Sequence, residues 1–470
     1  MTPSRTPSKW TAFAIVAIGV FMCTLDTSIV NVSLPPIARY FGVPIGAEAE
    51  WVIIAYLVVI ASTLLIVGRL SDRIGRKPIW LAGLLVFSAG SALCGAAPSL
   101  DLLIGARVLQ GIGASMLMSV SPAMLVASFP PQERGRVLGM NAMIVAFGIT
   151  AGPPLGGAIV EAASWRWIFF LNVPIGIAGA IATWIVWPSD ARRETKRFDG
   201  AGAVLLGLTL GGAATALSIG NEAGWSSTAV LALGAVAAVS LVLFVVQERR
   251  HEAPLLDHTL FRNRLFAWAT ASLVLSFLAM FAITFLLPIY LVQLRGFALQ
   301  KVGLLLTPFP VVIAVIAPFA GHAADRMGTR GLATTGMAIL CAGLLLLSGL
   351  DDSSSLADII WRQLVAAAGM ALFQSPNNSA IMGAAPRDRQ GVAAGMLATG
   401  RTMGQSLSVA IAGAVFGSLG GAAAGRALAH APADPALVAT FTRAYHYALV
   451  TCASIAVVAV FTSLMRGRER

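Results

Sequence analysis

The chain has 470 residues, of which 57% are hydrophobic and 11% are charged, whereas about a quarter of the residues in an ordinary soluble protein carry a charge. Its formal net charge of +11 would suggest a nucleic-acid-binding protein only if the basic residues formed a surface patch, and here they lie in short loops between long apolar segments. The composition therefore indicates an integral membrane protein without a soluble domain, and it excludes nucleic acid as a partner.

Fourteen segments are long enough to cross the roughly 30 Å of hydrocarbon in a bilayer. Each is predicted to be a helix, because lipid cannot satisfy an open backbone. The first follows Arg5 and Lys9 like a signal peptide but continues past signal-peptide length without a small-residue cleavage site, so we expect a retained helix. The predicted spans cover approximately 10–34, 50–70, 78–98, 102–127, 137–160, 165–187, 200–220, 226–247, 265–292, 300–324, 331–350, 358–382, 390–419 and 440–465.

The basic residues predict the orientation of these spans. The loops on the side of both termini hold 23 of the Lys and Arg residues and the opposite loops hold seven, while Arg107 and Arg401 lie inside spans. Because loops rich in Lys and Arg stay in the cytoplasm, we expect both termini to be cytoplasmic in a multi-pass protein of the inner (plasma) membrane. Membrane lipids are then its surroundings, and nothing in the sequence requires an oligomer.

An internal repeat divides the spans into two halves. The stretch GRLSDRIGRK at 68–77 returns as GHAADRMGTR at 321–330, and the Ser-Pro pair at 121–122 returns at 375–376. Both matches correspond to a shift of eight spans, so two six-helix halves flank an inserted pair. We therefore expect an N-terminal half over 1–190, the inserted pair with its linkers over 191–262, and a C-terminal half over 263–470.

Span 1 carries a carboxylate, Asp26, in the stretch LDTSIVNVSLPP. It lies about 15 residues into the span, roughly 22 Å from the cytoplasmic boundary at the helical rise per residue. Arg107 is about five residues into span 4, roughly 8 Å from the outer face. In a membrane about 30 Å thick the two side chains lie at matching depths, so we expect them to meet.

Two interpretations of this pair are open. A static ion pair would only orient two helices, whereas a titrating site would have its charge compensated in one conformation and not in the other. Ionisable residues inside a membrane mark ion or proton pathways by default. We therefore favour proton coupling at Asp26 and Arg107.

Span 13 carries a second intramembrane arginine, Arg401, with Gln405 one turn away and no acid in the same span. Contact with substrate or water and hydrogen bonding to carbonyls are equally open for it. Single polar residues in spans more often form interhelical hydrogen bonds, and Asn141, Asn172, Asn377 and Asn378 are assigned to that class. The candidate residues of a substrate cavity are Asp26, Asn31, Gln110, Gln374, Arg401 and Gln405.

The repeated loop motif predicts a gate. Its basic residues could be simple cytoplasmic anchors, but the second copy keeps glycine, aspartate and arginine at the same spacing. We expect contacts between helix ends that break and reform as the halves rock, because such charge contacts can bias a two-state element. The predicted gate residues are Gly68, Asp72, Arg73, Gly75, Arg76, Lys77, Asp325 and Arg326.

Span 5 contains the stretch GITAGPPLGGAIV. Its prolines remove helix hydrogen bonds and bend the chain, while its glycines allow another backbone to approach. A kinked packing helix explains this composition by itself. The residues concerned include Gly148, Gly152, Pro153, Gly156 and Gly157.

Along almost its whole length the chain resembles the fourteen-helix drug:H⁺ antiporters of the major facilitator superfamily. The resemblance rests on LDTSIVNVSLP in span 1, GRLSDRIGRKP after span 2, RVLQGIGAS in span 4, GITAGPPLGG in span 5 and WRWIFFLNVPIG at the start of span 6. It implies an all-α major facilitator fold, with two parallel six-helix halves and two inserted helices.

The resemblance also implies roles for these motifs. Asp26 corresponds to the helix-1 carboxylate used in coupling, Arg107 to the helix-4 arginine linked to proton movement, and the Asp72 loop to the cytoplasmic gate. The span 5 glycines and Pro153 correspond to the antiporter signature, which is the feature that favours export. Relatives that handle divalent cations carry a second acid in the helix equivalent to span 10, which this chain lacks. We therefore expect a lipophilic monovalent cation or neutral substrate, with anions open through Arg401.

These features predict a proton-coupled exporter of lipophilic small molecules that works by alternating access. A proton-coupled uptake carrier of the same fold and a sensor without transport remain open, because fold does not fix direction or cargo. No phosphate loop, HExxH or GxSxG motif occurs, and no histidine or cysteine has metal-ligand spacing. We expect no enzyme activity, no metal and no cofactor, with the proton gradient as the energy source.

Overall fold

The structure is a computed structural model that describes residues 8–43, 47–188, 199–250, 258–297, 299–386, 389–428 and 434–466. Within these ranges the regular elements are helices, and no strand occurs. This follows from the long apolar runs, because a helix pairs its backbone groups internally where lipid offers no hydrogen bonds.

The helices of the first part of the chain follow one another with short connections. A 3₁₀ turn, Pro131–Glu133, precedes the fifth helix. The bounds are α1 (Lys9–Phe41), α2 (Ala47–Ile74), α3 (Arg76–Ala96), α4 (Leu100–Ser128), α5 (Arg134–Ala162), α6 (Trp167–Phe170), α7 (Asn172–Val186), α8 (Gly200–Ala223) and α9 (Thr228–Arg250).

The remaining helices repeat this arrangement with extra short elements. A π-helical turn, Tyr290–Leu294, continues the eleventh helix. The bounds are α10 (His258–Arg262), α11 (Arg264–Ile289), α12 (Leu299–Leu306), α13 (Pro308–Met327), α14 (Thr329–Ser348), α15 (Leu356–Ala384), α16 (Gln390–Ser418), α17 (Gly421–Leu428) and α18 (Pro435–Leu464).

Every predicted span coincides with helix in the structure, span 6 with α6 and α7 together and span 10 with α12 and α13. Within the described part of the chain, twelve helical segments are long and apolar enough to cross a membrane. The two predicted spans outside this set are α8, whose apolar stretch covers Gly200–Ala213, and α16. Length and composition of the helices therefore support about twelve crossings, and the prediction of fourteen goes beyond them.

The buried apolar side chains form separate cores in the two parts of the chain. One cluster draws nearly all of its members from α10 to α18, including Phe266, Phe373 and Phe441. A second cluster has members in each of the helices from α1 through α5 and in α7, and it surrounds Trp80 and Phe87. A third cluster lies nearer the other end of the first helices. Each part therefore packs around apolar residues of its own.

The inserted helices lie on one side of this arrangement. Helix α8 packs against α9 and against α2 and α16, where Ala203 and Leu206 join a small cluster with Leu65 and Phe244. Helix α9 exposes large apolar side chains such as Leu231 and Val242. An apolar exposed surface on a membrane helix suits contact with lipid, which fits the peripheral position expected for this pair.

Candidate transport site and gate

Asp26 lies in the middle of α1 and is fully buried. Its Oδ2 is 2.6 Å from Nη1 of Arg107 on α4. Its Oδ1 accepts hydrogen bonds from Nε2 of Gln110 at 2.9 Å and from Nδ2 of Asn172 at 3.1 Å. The two side chains that the sequence places at matching depth are therefore in contact, and two amide donors complete the carboxylate's surroundings.

Arg107 is held from three further directions. Its Nη1 also donates to Oε1 of Gln110 at 2.6 Å, and its Nε donates to the carbonyl of Val52 on α2 at 2.9 Å. The guanidinium carbon lies 4.0 Å from the centre of the Tyr56 ring, a cation–π contact. The cation is 1% exposed, so it owes its stability to these partners rather than to water.

The ion pair of Asp26 and Arg107 joins α1 to α4. Removing one partner of a buried ion pair typically costs about 3–5 kcal/mol, because the other charge stays uncompensated. The charges of both side chains therefore contribute to the contact between these two helices.

The structure revises the predicted surroundings of the pair. Gln110 belongs to the network as expected and also donates to Oγ of Ser91 on α3 at 2.8 Å. Asn172, assigned to simple interhelical bonding, contacts Asp26 directly, and its signal in the sequence was an amide at the start of an apolar helix. Asn31 is exposed and outside the network, because five residues from Asp26 correspond to about 140° around a helix.

Arg401 has a different environment. It lies on α16 with its guanidinium carbon 5.2 Å from the centre of the Phe277 ring on α11. Its Nε is shielded from solvent without a hydrogen-bond partner, while the residue as a whole is partly exposed. Among the described residues, no carboxylate forms an ion pair with it.

The contact with Phe277 offsets only part of the cost of burying this charge. A cation–π contact is worth about 0.5–2 kcal/mol, whereas an arginine at the centre of a membrane helix costs roughly 2.5–3.5 kcal/mol on insertion scales. Arg401 is therefore a cation with capacity for a further partner.

The predicted cavity residues fall into two separate groups. Asp26 and Gln110 lie inside the first half, and the structure gives Asp26 no open face in this conformation, so direct substrate contact by Asp26 stays a prediction. The other group lies on the second half, where Gln374 on α15 is buried and Gln405 on α16 is partly exposed.

The first copy of the gate motif forms hydrogen bonds with a helix of the second half. Asp72, near the end of α2, accepts hydrogen bonds from the backbone N–H groups of Gly391 at 2.7 Å and Val392 at 2.9 Å. These groups lie in the first turn of α16, whose own N-cap residue, Arg389, forms no side-chain cap. The carboxylate therefore caps α16 from the opposite half, where free N–H groups and the helix dipole favour an anion.

The second copy forms the same contact in the reverse direction. Asp325, near the end of α13, accepts from the N–H groups of Gly135 at 2.7 Å and Arg136 at 2.9 Å. They lie in the first turn of α5, whose N-cap residue Glu133 likewise forms no side-chain cap. We call the end of the bundle that holds both carboxylate contacts the closed end.

Glycines bring the backbones together at both contacts. A Cβ atom added to Gly68 would lie 2.5 Å from the carbonyl oxygen of Gly391, and one added to Gly321 would lie 2.1 Å from that of Gly135. The partner glycines were not predicted. Their signal is a glycine spacing of four shared by the starts of α5 and α16, at 135 and 139 and at 391 and 395.

The other predicted gate residues have unequal roles. Arg76 donates to the carbonyl of Ala123 at 3.1 Å and to Oε1 of Gln390, across the halves, at 3.2 Å. Lys77 donates to the carbonyls of Trp184 and Trp187, so it acts within the first half rather than across the gate. Arg73 is partly exposed and Arg326 is exposed.

The turns after α2 and α13 depend on glycine. Gly75 has φ of 100° and Gly328 has φ of 86°, a region that other residues rarely adopt. The two glycines occupy equivalent places in the repeated motif. Gly75 therefore shapes the turn between α2 and α3.

The glycines of the span 5 signature pack α5 against α1. Added Cβ atoms on Gly148, Gly152 and Gly156 would lie within 3 Å of Thr24, Ser28 and Ile29, respectively, whereas one on Gly157 would meet nothing within 4 Å. Helix α5 runs unbroken through both prolines; the side chain of Pro153 lies outside the described residues. The signature is thus a close contact with the helix that carries Asp26.

A family model described as Major Facilitator Superfamily matches residues 16–409 and 302–469. The chain belongs to the Major Facilitator Superfamily. Curated relatives agree: the uncharacterized transporter YebQ of Escherichia coli K12 is 39% identical over 401 residues, which cover 85% of this chain and 87% of YebQ. This major facilitator protein is therefore a multi-span membrane transporter, and its superfamily relatives are transporters rather than enzymes.

Relatives with assigned cargo differ from one another. The riboflavin transporter RibZ of Clostridioides difficile strain 630 is 33% identical, covering 84% of this chain and 85% of RibZ. The multidrug resistance protein Stp of Mycobacterium tuberculosis CDC 1551 / Oshkosh is 34% identical, covering 83% of this chain and 72% of Stp. Superfamily membership consequently establishes transport of a small molecule without naming it.

A solved structure supports the fold alone. The human organic anion transporter MFSD10 (TETRAN) superposes with a TM-score of 0.69 over 97% of this chain and 100% of that one, at 15% identity. In the described part of this major facilitator chain, no group of three or more His, Cys, Asp or Glu residues could hold a metal ion. The four cysteines are buried and unpaired, as packing residues would be.

Proposed function

We propose that this transporter is a fourteen-helix, proton-coupled exporter of lipophilic small molecules that works by alternating access. The observation that carries the proposal is the buried carboxylate of Asp26, which shares an ion pair and two amide donors inside an apolar bundle. A group of this kind is expensive to keep in a membrane unless its charge changes during function. Helices α8 and α16 supply the thirteenth and fourteenth crossings.

In the proposed cycle, a proton and the substrate stabilise opposite conformations. Protonation of Asp26 from outside releases Arg107 and loosens α1 from α4. Because α5 packs closely on α1 through Gly148 and Gly152, a shift of α1 also changes the position of α5. Loss of the proton to the cytoplasm restores the ion pair and resets the site.

The gate supports the same cycle. The count of basic residues predicts that the closed end faces the cytoplasm, which makes this conformation the one that is open or about to open outward. The contacts of Asp72 and Asp325 must then break to admit substrate from the cytoplasm or inner leaflet. Each contact exchanges two helix N–H groups between a carboxylate and water, so neither locks the protein permanently.

The likeness to a multidrug resistance protein, Stp, supports export of varied lipophilic compounds. The test uses inverted vesicles with an imposed interior-acid pH gradient, to which lipophilic compounds are added one at a time. We expect wild type to dissipate the gradient when a substrate is added and Asp26→Asn to leave it intact. Asp352→Asn, which removes an exposed carboxylate, is the matched control and should behave as wild type.

A proton-coupled uptake carrier for a metabolite is the second candidate, favoured by the likeness to a riboflavin transporter, RibZ. Vesicles of the native orientation with an inward proton gradient distinguish the two. Accumulation of riboflavin above its external concentration would favour uptake. Compound-dependent proton movement restricted to the inverted vesicles would favour export.

A further inference from the structure

The second half holds a membrane cation whose charge has no protein counterpart among the described residues. Arg401 has a shielded Nε without a hydrogen-bond partner, and the Phe277 ring is its cation–π contact. The mid-membrane carboxylate that could have compensated it, Asp26, is committed to Arg107, Gln110 and Asn172. The positive charge of Arg401 is therefore available to another group.

The contacts of α16 show which way Arg401 faces. Gly391 touches α2 and Gly400 touches α11, and at about 100° per residue Arg401 lies between these two directions. Met396, about 140° from Arg401, packs against the cluster of α2, α8 and α9. Arg401 therefore lies on the opposite face of α16. Besides α2, α8 and α11, helix α16 contacts α4, α15, α17 and α18.

Helix α16 contacts helices of both halves. Helix α4 belongs to the first half and α15 to the second, and both contact α16. Arg401 is partly exposed, and so is Gln405 one turn further along α16. Together they offer a guanidinium and an amide donor to a molecule that enters between the halves, with the aromatic face of Phe277 beside them.

We infer that Arg401 binds the anionic group of the substrate, and that the substrates are amphipathic monoanions such as aryl carboxylates. The guanidinium pairs with a carboxylate in a fork of parallel hydrogen bonds, Gln405 adds a donor, and Phe277 accommodates the apolar body. The transport consequence rests on the proposed function, and it replaces the expectation of a cationic or neutral substrate. A cation would meet Arg401 in the cavity and find Asp26 enclosed.

The test measures equilibrium binding, which does not depend on transport. Three fluorescent probes have the same pyrene body and differ in charge: pyrenebutyrate, its neutral amide, and a pyrenebutyl-trimethylammonium cation. Fluorescence anisotropy is recorded with the purified full-length protein in lipid nanodiscs, and empty nanodiscs correct for partition into lipid. The variants are Arg401→Gln, Arg401→Lys and Arg443→Gln, which removes an exposed arginine on α18.

We expect wild type to bind pyrenebutyrate about 10-fold or more tightly than the amide, the usual scale for a hydrogen bond to a charged group. Arg401→Gln should lose this preference while its affinity for the amide stays within about 2-fold. Arg401→Lys keeps the charge without the fork and should retain part of the preference. Arg443→Gln should match wild type.

Three results would overturn the inference. They are equal binding of the carboxylate and the amide by wild type, tighter binding of the cation, and an unchanged preference in Arg401→Gln. Binding of none of the three probes would overturn it as well. If Arg401→Gln does not fold, Arg401→Lys decides the question: a reduced preference for carboxylate over amide supports the inference, and an unchanged preference overturns it.

Failure of the proposed function has a different signature. If the anion preference depends on Arg401 but no compound moves protons in inverted vesicles, proton-coupled export is wrong and the anion site stands. If compounds drive proton movement through Asp26 while binding ignores charge, export stands and the anion site is wrong.

Discussion

The two arginines within the predicted membrane spans of this transporter have opposite electrostatic environments. Arg107 in the first half has an ion pair, a carbonyl, an amide and an aromatic ring around it. Arg401 in the second half has an aromatic ring and no described ion-pair partner. The same side chain thus has its charge compensated by the protein in one half and has no described counter-charge in the other.

At the gate, in contrast, the two halves make matching contacts. Asp72 and Asp325 bind the first turns of α16 and α5 with matching distances of 2.7 and 2.9 Å. The repeat therefore retained equal closure at both contacts, while the chemistry deeper in the bundle diverged. In the proposed cycle, a symmetric gate serves a symmetric rocking motion, whereas proton and substrate act at different sites.

The largest effect on stability is expected from removing the carboxylate that compensates Arg107. Asp26→Ala leaves Arg107 buried without its anion, so the free energy of unfolding should fall by about 3–5 kcal/mol. The measurement is reversible unfolding in mixed SDS micelles. The double variant Asp26→Ala with Arg107→Ala should lose less than the sum of the single variants. Simple additivity would mean that the two side chains do not stabilise each other.

The next effect comes from crowding the closed end. In Gly321→Ala, the new methyl group would lie 2.1 Å from the carbonyl oxygen of Gly135, and overpacking of this kind costs about 1–3 kcal/mol. The closed end should therefore open more often. Ser71 is buried beside Gly391 at this end, and in Ser71→Cys its labelling by a membrane-impermeant maleimide should accelerate about 10-fold.

Gly383→Ala is the matched control for this variant, because its added methyl group would meet nothing within 4 Å. It should label at the wild-type rate. If both alanine variants label alike, crowding between Gly321 and Gly135 does not control opening.

A smaller and equal effect is expected from each carboxylate of the gate. Asp72→Ala and Asp325→Ala each remove a helix cap, at a cost of about 1 kcal/mol. Each should speed labelling of the closed end about 5-fold, by amounts that agree within a factor of two. Strongly unequal effects would show that the Asp72 and Asp325 contacts contribute different free energies to closure despite their matching geometry.

The smallest effect on stability is expected from the uncompensated arginine. Arg401→Met should leave the free energy of unfolding unchanged or raise it by roughly 0–1 kcal/mol, because the side chain exchanges an unpaired charge for an apolar group. Arg107→Met, in the same SDS assay, should be clearly destabilised. Equal losses from the two variants would reveal a protein partner for Arg401 and remove the contrast between them.

Much of the fold followed from the sequence because membrane physics leaves few choices. Apolar length predicts helices, and helical rise placed Asp26 and Arg107 at the same depth. The angular placement of residues was harder, since depth alone does not fix the face of a helix. Asn31 therefore lies outside the hydrogen-bond network of Asp26, and its place in a substrate cavity stays a prediction. Asn172 was expected to form an interhelical hydrogen bond, but its partner, Asp26, could not be predicted. A contact between the first and the sixth predicted spans leaves no pattern along the chain.

The gate was predicted only on one side. The repeated aspartates are visible in the sequence, but their partners are backbone N–H groups, which every residue except proline possesses. A partner of that kind has no side-chain signature, so the starts of α5 and α16 could be found only through their repeated glycine spacing. Arg401 was visible as an unusual residue, but the absence of a described counter-charge is a property of the packed structure.

The exchange of caps between the halves has a consequence for how the transporter is built. In the closed conformation, α5 and α16 are each completed by a side chain from the other half, so neither half is self-sufficient at that end. The halves are held by interactions for which water is a ready substitute, at the same place and in equal number on both sides. In the proposed cycle, opening of this end exposes these four backbone groups to water.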